Sequence, residues 1–157
     1  MQDELKRRGT KCQCVRCREV KGKSVSAEAL SLEDLVYEAG AAEEHFISYV
    51  TPDDKLAGFV RLSLPKENSP QTGISDLDGA ALIREVHVYG QSLPVGADKE
   101  GAAQHAGLGT RLLEEAERVA AAKGFKRMAV ISAVGTRGYY LGRGFEREEL
   151  YLTKKLG

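Results

Sequence analysis

The sequence predicts an α/β (α+β) domain with a mixed, mostly antiparallel sheet flanked by helices. The 157 residues suffice for one domain with a core, and 42% hydrophobic with 29% charged residues is typical of a globular protein. Short β-rich runs fill the first half of the chain, whereas the apolar period becomes helical after residue 103. A helix that links two strands indicates a parallel pair within the otherwise antiparallel sheet.

The N-terminal residues 1–26 form a basic, cysteine-containing linker segment. Residues 1–23 carry eight basic and three acidic side chains, so this stretch has a charge of +5 and the remainder of the neutral chain −5. Such an arm is either solvated or in contact with nucleic-acid phosphates, and charge alone favours the solvated arm. The domain itself is expected over residues 27–157.

Three strand-like runs open the domain, each bounded by turn-forming residues. They cover residues 32–39, 44–50 and 56–64. Gly40 lies in the first break, and Pro52 and Asp53 lie in the second. Because these residue types favour tight turns, two antiparallel hairpin connections are predicted.

The second half of the domain alternates loops, strands and helices. A loop over 65–79 precedes a fourth strand over 81–89, and a loop over 91–103 follows it. An amphipathic helix comes next and ends at Lys123-Gly124, a C-cap signal. Its apolar residues recur every four positions, as Leu108, Leu112, Ala116 and Ala120. A strand, a short helix and a closing pair of strands complete the chain, over 128–132, 136–142 and 145–154.

The segment 104–109, Gln-His-Ala-Gly-Leu-Gly, stands at the predicted start of the long helix. Its glycines remove side chains there and leave N–H groups at the positive end of the helix dipole, an arrangement that binds pyrophosphate. Two glycines at this spacing also occur by chance, and a dinucleotide fingerprint is the alternative. That alternative lacks a third glycine at the required offset and an acidic residue after the next strand, which ends in Ser132-Ala133.

A second segment, 139–145, places two tyrosines in a short helix before a Gly-Phe pair that begins a strand. An isolated tyrosine there would be interpreted as core packing, but this one follows a phosphate-binding helix. Together the two segments resemble the GNAT acetyltransferase family. Gln104, Gly107 and Gly109 match its Gln/Arg-x-x-Gly-x-Gly/Ala motif, and Tyr140 matches the tyrosine beside the coenzyme A sulfur.

The GNAT resemblance covers residues 30–157 and implies a site for acetyl-coenzyme A. The fourth strand would pair its backbone with the pantetheine arm at Val86, His87 and Val88. The helix would hold the pyrophosphate through Gln104, His105, Gly107, Leu108, Gly109 and Thr110. Tyr140, or its neighbour Tyr139, would donate a proton or a hydrogen bond to the departing thiolate, and the other tyrosine would shape the pocket.

Glu85 and His87 are the candidates for a general base or a water-activating group. Both lie on the fourth strand and share one face, because side chains alternate along a strand. The alternatives are a half-buried histidine with satisfied nitrogens and a glutamate that is a surface charge or a partner of Arg84. His45 and His105 are expected to be structural or surface groups, although His105 lies inside the phosphate motif.

Further segments resemble the C-terminal acetyltransferase domain of the catalytic subunit of elongator. They are residues 82–90, 104–107, 114–118, 130–132 and 135–140. Members of that family modify the wobble uridine of certain tRNAs at carbon-5, so the resemblance implies tRNA as a partner. It also implies an upstream radical S-adenosylmethionine domain with an iron–sulfur cluster, which is expected to be absent from this chain.

The three cysteines, Cys12, Cys14 and Cys17, form Cys-x-Cys-x-x-Cys in the basic segment. This spacing suits three ligands of one tetrahedral zinc, with the fourth supplied by water or another domain. The elongator resemblance implies a zinc-binding linker. The alternatives are three reduced thiols or a disulfide formed during handling.

No apolar run approaches the ~20 residues that cross a bilayer, and no signal-peptide pattern opens the chain. These observations predict a cytoplasmic protein without a membrane partner. The resemblance favours a domain that binds acetyl-coenzyme A and hydrolyses or transfers the acetyl group in tRNA modification. A protein lysine (histone) acetyltransferase and a non-catalytic module that binds acetyl-coenzyme A or tRNA are the alternatives.

Overall fold

The computed structural model describes residues 2–22, 25–89 and 100–157, without the side chains of residues 2 and 100–106. Its strands are β1 Ser31–Ala39, β2 Ala42–Val50, β3 Leu56–Pro65, β4 Ala80–Val88, β5 Arg127–Val130, β6 Glu146–Arg147 and β7 Leu152–Lys155. They form one sheet in the order β1-β2-β3-β4-β5-β7-β6. Only β4 and β5 are parallel neighbours among these strands. The predicted mixed, mostly antiparallel sheet and both hairpins are confirmed.

Four α-helices occur in the described part of the chain. They are α1 Gln2–Arg7, α2 Val15–Arg18, α3 Glu100–Ala122 and α4 Arg137–Leu141. None of these helices combines the length and the apolar character needed to cross a membrane. The first two were not predicted, because helices this short show no periodic apolar pattern in the sequence.

The apolar stripe of α3 packs on one face of the sheet, as its four-residue period predicts. Leu108 and Leu112 are buried in one cluster with Val60 of β3. Gly58 permits this close approach, because a Cβ there would lie 2.9 Å from the carbonyl oxygen of His87 and 3.3 Å from the Leu112 side chain. Burying each leucine contributes roughly 2 kcal/mol, so α3 is held mainly by this face.

The N-terminal segment is attached to the start of β3. The amide of Val20 donates to the carbonyl of Leu56 at 3.2 Å, and the Val20 side chain is only 3% exposed. The Lys55 ammonium donates to the Cys17 carbonyl at 3.0 Å, and the Arg18 guanidinium pairs with the Asp54 carboxylate at 2.5 Å. These contacts place the cysteine-bearing segment against the sheet.

Strand β4 separates from β5 halfway along its length. Parallel pairing joins Ala80–Ile83 to Arg127–Val130 and ends there. On the other side, β3 remains paired with β4, but a register shift makes Arg84 an extra residue in a β-bulge. Among the described residues, 84–88 therefore have a strand neighbour on one side only, and a gap opens between the ends of β4 and β5.

Helix α3 begins at Glu100, so the prediction that residues 104–109 lie at the helix start is wrong for this structure. Glutamate is favourable at the positive end of a helix, and Ala102 and Ala103 are strong helix formers. Amides from Gln104 onward consequently have helical carbonyls four residues earlier as partners. Of the predicted loop over 91–103, residues 91–99 lie outside the described residues.

The predicted strand 128–132 also ends early, at Val130. The Ser132 hydroxyl is 3.0 Å from the Thr136 hydroxyl and donates to the Ala133 carbonyl at 3.1 Å. These local hydrogen bonds favour a turn and draw Ser132 away from the sheet. A 3₁₀ turn over Val134–Thr136 then leads into α4 beside the gap.

Candidate active site

Tyr139 of α4 and Gly109 of α3 meet at the gap between β4 and β5. A Cβ built on Gly109 would overlap the Tyr139 hydroxyl, and it would lie 3.5 Å from Val88 Cγ2 of β4. The missing side chain therefore creates the space that the phenol occupies. This arrangement joins the glycine motif of α3, the tyrosine segment of α4 and the end of β4 that has no strand on its β5 side among the described residues.

Tyr140 lies beside Tyr139 with its ring almost wholly buried. It is 8% exposed, and its ring makes edge contacts with Tyr139 and Phe145 at centroid distances of 5.2 and 5.6 Å. Within the described part of the chain, neither tyrosine hydroxyl forms a hydrogen bond, and neither is a buried polar atom without a partner. Both phenols therefore remain available as donors.

Burial raises the pKa of both tyrosines above the usual value. For Tyr140 the neighbouring Tyr139 adds to this effect, whereas the Arg143 cation opposes it for both. Desolvation disfavours the phenolate, so the neutral phenol is the form present at neutral pH. Each side chain can therefore act as a hydrogen-bond donor or a general acid.

Arg143 connects the tyrosine segment to α3. Its Nε and Nη2 donate to the Thr110 hydroxyl at 3.1 and 2.9 Å, and Nη1 donates to the Tyr139 carbonyl at 2.7 Å. The guanidinium carbon also lies 3.5 Å from the centre of the Tyr139 ring. Sequence reasoning missed this residue, because only the three-dimensional fold brings Thr110 and Arg143 together.

Glu85 and His87 lie together on the opposite face of the sheet. Glu85 Oε2 is 3.3 Å from His87 Nε2, and the His87 ring stacks on Phe59 at 5.2 Å. Phe59 alternates along β3 with Gly58, which contacts α3, so Phe59 and His87 face away from that helix. The structure brings these candidates together but not onto the face that carries the tyrosines.

The partner of Glu85 is Arg61, not Arg84. Arg61 Nη1 donates to Glu85 Oε1 at 2.9 Å, whereas Arg84 Nη1 is directed to Glu44 at 3.5 Å. Burial opposes ionisation of Glu85, but the hydrogen bonds and charges of Arg61 and His87 together hold the pKa of this carboxyl below its usual value. Glu85 is thus a carboxylate at neutral pH and can accept a proton.

Of the other histidines, His45 stands apart from this site. His45 is buried, and its two ring nitrogens lie 2.7 Å from the Asp34 carboxylate and 3.0 Å from the Glu43 carboxylate. This bridge between β1 and β2 is a structural arrangement. The side chains of Gln104 and His105 lie outside the description, although their backbone belongs to α3.

The three cysteines converge at the start of α2. The sulfur atoms of Cys12, Cys14 and Cys17 lie within 4.8 Å of one another, and no fourth Cys, His, Asp or Glu of the described chain joins them. Hydrogen bonds from the Cys17 backbone and from the Cys12 and Cys17 thiols lower the pKa of Cys14 to about 7, whereas hydrogen bonds with the Cys14 and Cys12 thiols raise the pKa of Cys17 to about 11. This donor set fits three of the four ligands of a zinc ion.

Residues 17–145 match the model of the Acetyltransferase (GNAT) family. The chain is 38% identical over 156 residues to the tRNA uridine(34) acetyltransferase of Dehalococcoides mccartyi (strain CBDB1), covering 97% of the chain and 34% of that relative. It is 40% identical over 159 residues to Elongator complex protein 3 of Danio rerio, covering 97% of the chain and 28% of that relative. The chain thus spans about a third of the length of these curated relatives or less.

A solved structure has a similar fold over nearly the whole chain. The archaeal Methanocaldococcus infernus Elp3 with an N-terminal deletion superposes with a TM-score of 0.78 at 31% identity. The match covers 98% of this chain and 38% of that one. The matched region therefore includes both the cysteine-bearing segment and the sheet.

Proposed function

Because the chain belongs to the GNAT acetyltransferase family, we propose that it is the acetyl-coenzyme A-dependent domain of an enzyme that modifies the wobble uridine of tRNA at carbon-5. Family membership makes the chain an acetyl-coenzyme A-dependent acyltransferase. The names of its relatives, which include a tRNA uridine(34) acetyltransferase, support tRNA as the substrate of the complete enzyme. The single observation that carries the proposal is the Tyr139 phenol seated on Gly109 beside the open edge of β4.

The open edge of β4 suits the pantetheine arm of coenzyme A. Val86, His87 and Val88 have no strand on the β5 side among the described residues, so backbone groups there can pair with the amides of an extended ligand. A thioester at the end of that arm would lie in the gap, next to the tyrosines. This supports assigning these three residues to the ligand.

The pyrophosphate would bind at the glycine motif of α3. The amides of Gly107 and Gly109 lie inside the helix in this structure, so we propose that α3 binds the ligand in a shortened form that begins near Gly107. Two general properties of helices support this step. Each glycine destabilises a helix by about 1 kcal/mol, and a shortened helix presents free amides at its positive end. Leu108 and Thr110 would contribute their amides, and Gln104 and His105 would lie in the loop that results.

The Glu85–His87 pair and the tyrosines would serve two separate proton transfers, one from the attacking water and one to the departing thiolate. In the hydrolytic reaction, Glu85 or His87 would take a proton from the attacking water, whose oxygen bonds to the thioester carbonyl carbon. As the C–S bond breaks, Tyr140 or Tyr139 donates a proton or hydrogen bond to the departing thiolate. Because the two sets lie on opposite faces of the sheet, they would act from opposite sides of the gap.

The segment 1–26 would be a linker to an upstream radical S-adenosylmethionine domain, which would hold the iron–sulfur cluster, and residues 27–157 would be the acyltransferase domain. We propose that Cys12, Cys14 and Cys17 bind a structural zinc ion, since their sulfurs already converge. A cytoplasmic location stays part of the proposal.

The test compares two acceptors. The protein is incubated with acetyl-labelled acetyl-coenzyme A, alone, with tRNA, or with histone. Thioester cleavage that rises with tRNA is the expected result. Label recovered on histone lysine would instead favour a protein acetyltransferase, and binding without turnover in the intact enzyme would favour a non-catalytic module.

A further inference from the structure

Helix α4 is too short to fix its own position. It spans five residues, Arg137–Leu141, whereas isolated helices need about 12–15 residues to be even marginally stable. Its placement beside α3 must therefore come from tertiary contacts. On the core side Tyr140 packs against Phe145 and makes an edge contact with Tyr139, which leaves one face of the Tyr139 ring for a further contact.

Arg143 supplies that second contact, immediately after the helix. Its backbone amide donates to the Tyr140 carbonyl at 2.9 Å, which closes the turn and directs the side chain back over α4. The guanidinium then covers the Tyr139 ring at 3.5 Å and reaches Thr110 through two nitrogens. One half-buried side chain thus joins the ring, the carbonyl and α3.

These contacts require an arginine. A planar guanidinium can stack on a phenol ring and donate in its own plane at once, whereas the ammonium of lysine donates from one point. Because the Arg143 guanidinium lies against one face of the Tyr139 ring, rotation of that ring away from Gly109 would break the stacking contact. The position of the phenol over the glycine motif therefore depends on Arg143.

We infer that Arg143 is a positioning residue for the reaction, which holds the Tyr139 hydroxyl on Gly109 and so aligns the tyrosine pair with the thioester. The inference rests on the proposed acyltransferase function. Arg143 would act through Tyr139 and would not itself transfer a proton or an acetyl group. Misplacement of a reacting group by about 1 Å lowers rates by as much as a hundredfold, so loss of the clamp should act on turnover.

Three variants separate the contacts. Arg143→Met removes the charge and the donors, Arg143→Lys keeps the charge but donates from one point only, and Thr110→Val removes the acceptor on α3. Arg147→Met is the matched control, because Arg147 is an exposed arginine on β6. Thioester cleavage gives kcat and KM, and NMR of tyrosines labelled at the ring carbon that bears the hydroxyl reports on Tyr139 directly.

The expected result is a fall in kcat of about tenfold for Arg143→Met, with KM for acetyl-coenzyme A within about threefold of the parent. Lysine should not restore kcat, and Thr110→Val should lose part of it. The Tyr139 resonance should shift and titrate at higher pH in Arg143→Met, since the cation that opposes the raised pKa is gone.

A kcat for Arg143→Met equal to that of Arg147→Met would overturn the inference. If Arg143→Met does not fold, Thr110→Val decides, and an unchanged kcat and Tyr139 resonance in that variant would also overturn it. If the parent protein cleaves no thioester, the proposed function fails. The tyrosine spectra then still decide whether Arg143 holds the phenol, because an unshifted resonance in Arg143→Met excludes the clamp.

Discussion

The hydroxyl of Tyr139 occupies the place where a side chain at Gly109 would begin. The two residues are thirty positions apart in sequence, and each belongs to a different motif. Their contact shows that the glycine of α3 has a steric role at the site as well as a backbone one. Because of this contact, a substitution in the glycine motif is expected to affect the tyrosine segment as well.

Gly109→Ala tests this contact. The new methyl group must displace the phenol of Tyr139, and this overpacking costs about 1–3 kcal/mol, whereas alanine stabilises the helix by about 1 kcal/mol relative to glycine, so we expect a net loss of up to about 2 kcal/mol in the free energy of unfolding. Thioester cleavage should fall with it, because the phenol moves out of the gap. Urea denaturation and steady-state kinetics measure the two effects, and a fully active, fully stable variant would contradict the contact.

Gly107→Ala separates the backbone role of the motif from packing. No atom lies within 4 Å of a Cβ at Gly107, and alanine stabilises a helix by about 1 kcal/mol relative to glycine. We therefore expect higher thermal stability together with weaker coenzyme A binding, by about fivefold or more, because the long form of α3 is favoured. Calorimetry with coenzyme A measures the affinity. Unchanged affinity in a stabilised variant would argue against the shortened helix.

Tyr140→Phe and Tyr139→Phe identify the proton donor. Removal of the phenol that protonates the thiolate should lower kcat by about a hundredfold and leave the affinity for coenzyme A unchanged. The other variant should show a smaller loss. Equal rates for both variants and the parent would remove the tyrosines from the mechanism.

The pH profile checks the same assignment. A general acid works in its protonated form, and burial raises the pKa of both tyrosines above 10.0. The rate should therefore persist through neutral pH and fall only as the pH rises through that higher pKa. Loss of this alkaline limb in one phenylalanine variant would assign the donor, whereas a decline that begins near neutrality would point to another group.

Zinc content tests the cysteine cluster. We expect one zinc per protein in the intact enzyme, and Cys14→Ala should lower both the zinc content and the melting temperature, because a structural metal contributes directly to folding. A chelator should reproduce this change in the parent and have little effect on the variant. Elemental analysis and thermal melts measure it, with Ser26→Ala as a control in the same segment.

The sequence predicts the elements of this fold better than their relative placement. The four-residue period of α3 and the turn residues between β1, β2 and β3 are local signals, and both predictions are confirmed. The start of α3 was missed because Glu100 and the alanines after it extend the helix upstream of the motif. The Arg143–Thr110 contact joins residues 33 positions apart, and no local pattern reports such a contact.

The β-bulge at Arg84 reverses the parity of β4. Before it, Ala81 and Ile83 belong to the core cluster, and simple alternation would send the side chains at 85 and 87 inward with them. The additional backbone unit turns Val86 inward instead, so the carboxylate and the imidazole emerge on the far side. If the bulge were lost and Arg84 took the place of Glu85 opposite Arg61, the two sets would exchange faces: the carboxylate and the imidazole would be buried under α3, and Val86 would be exposed on the opposite side of the sheet.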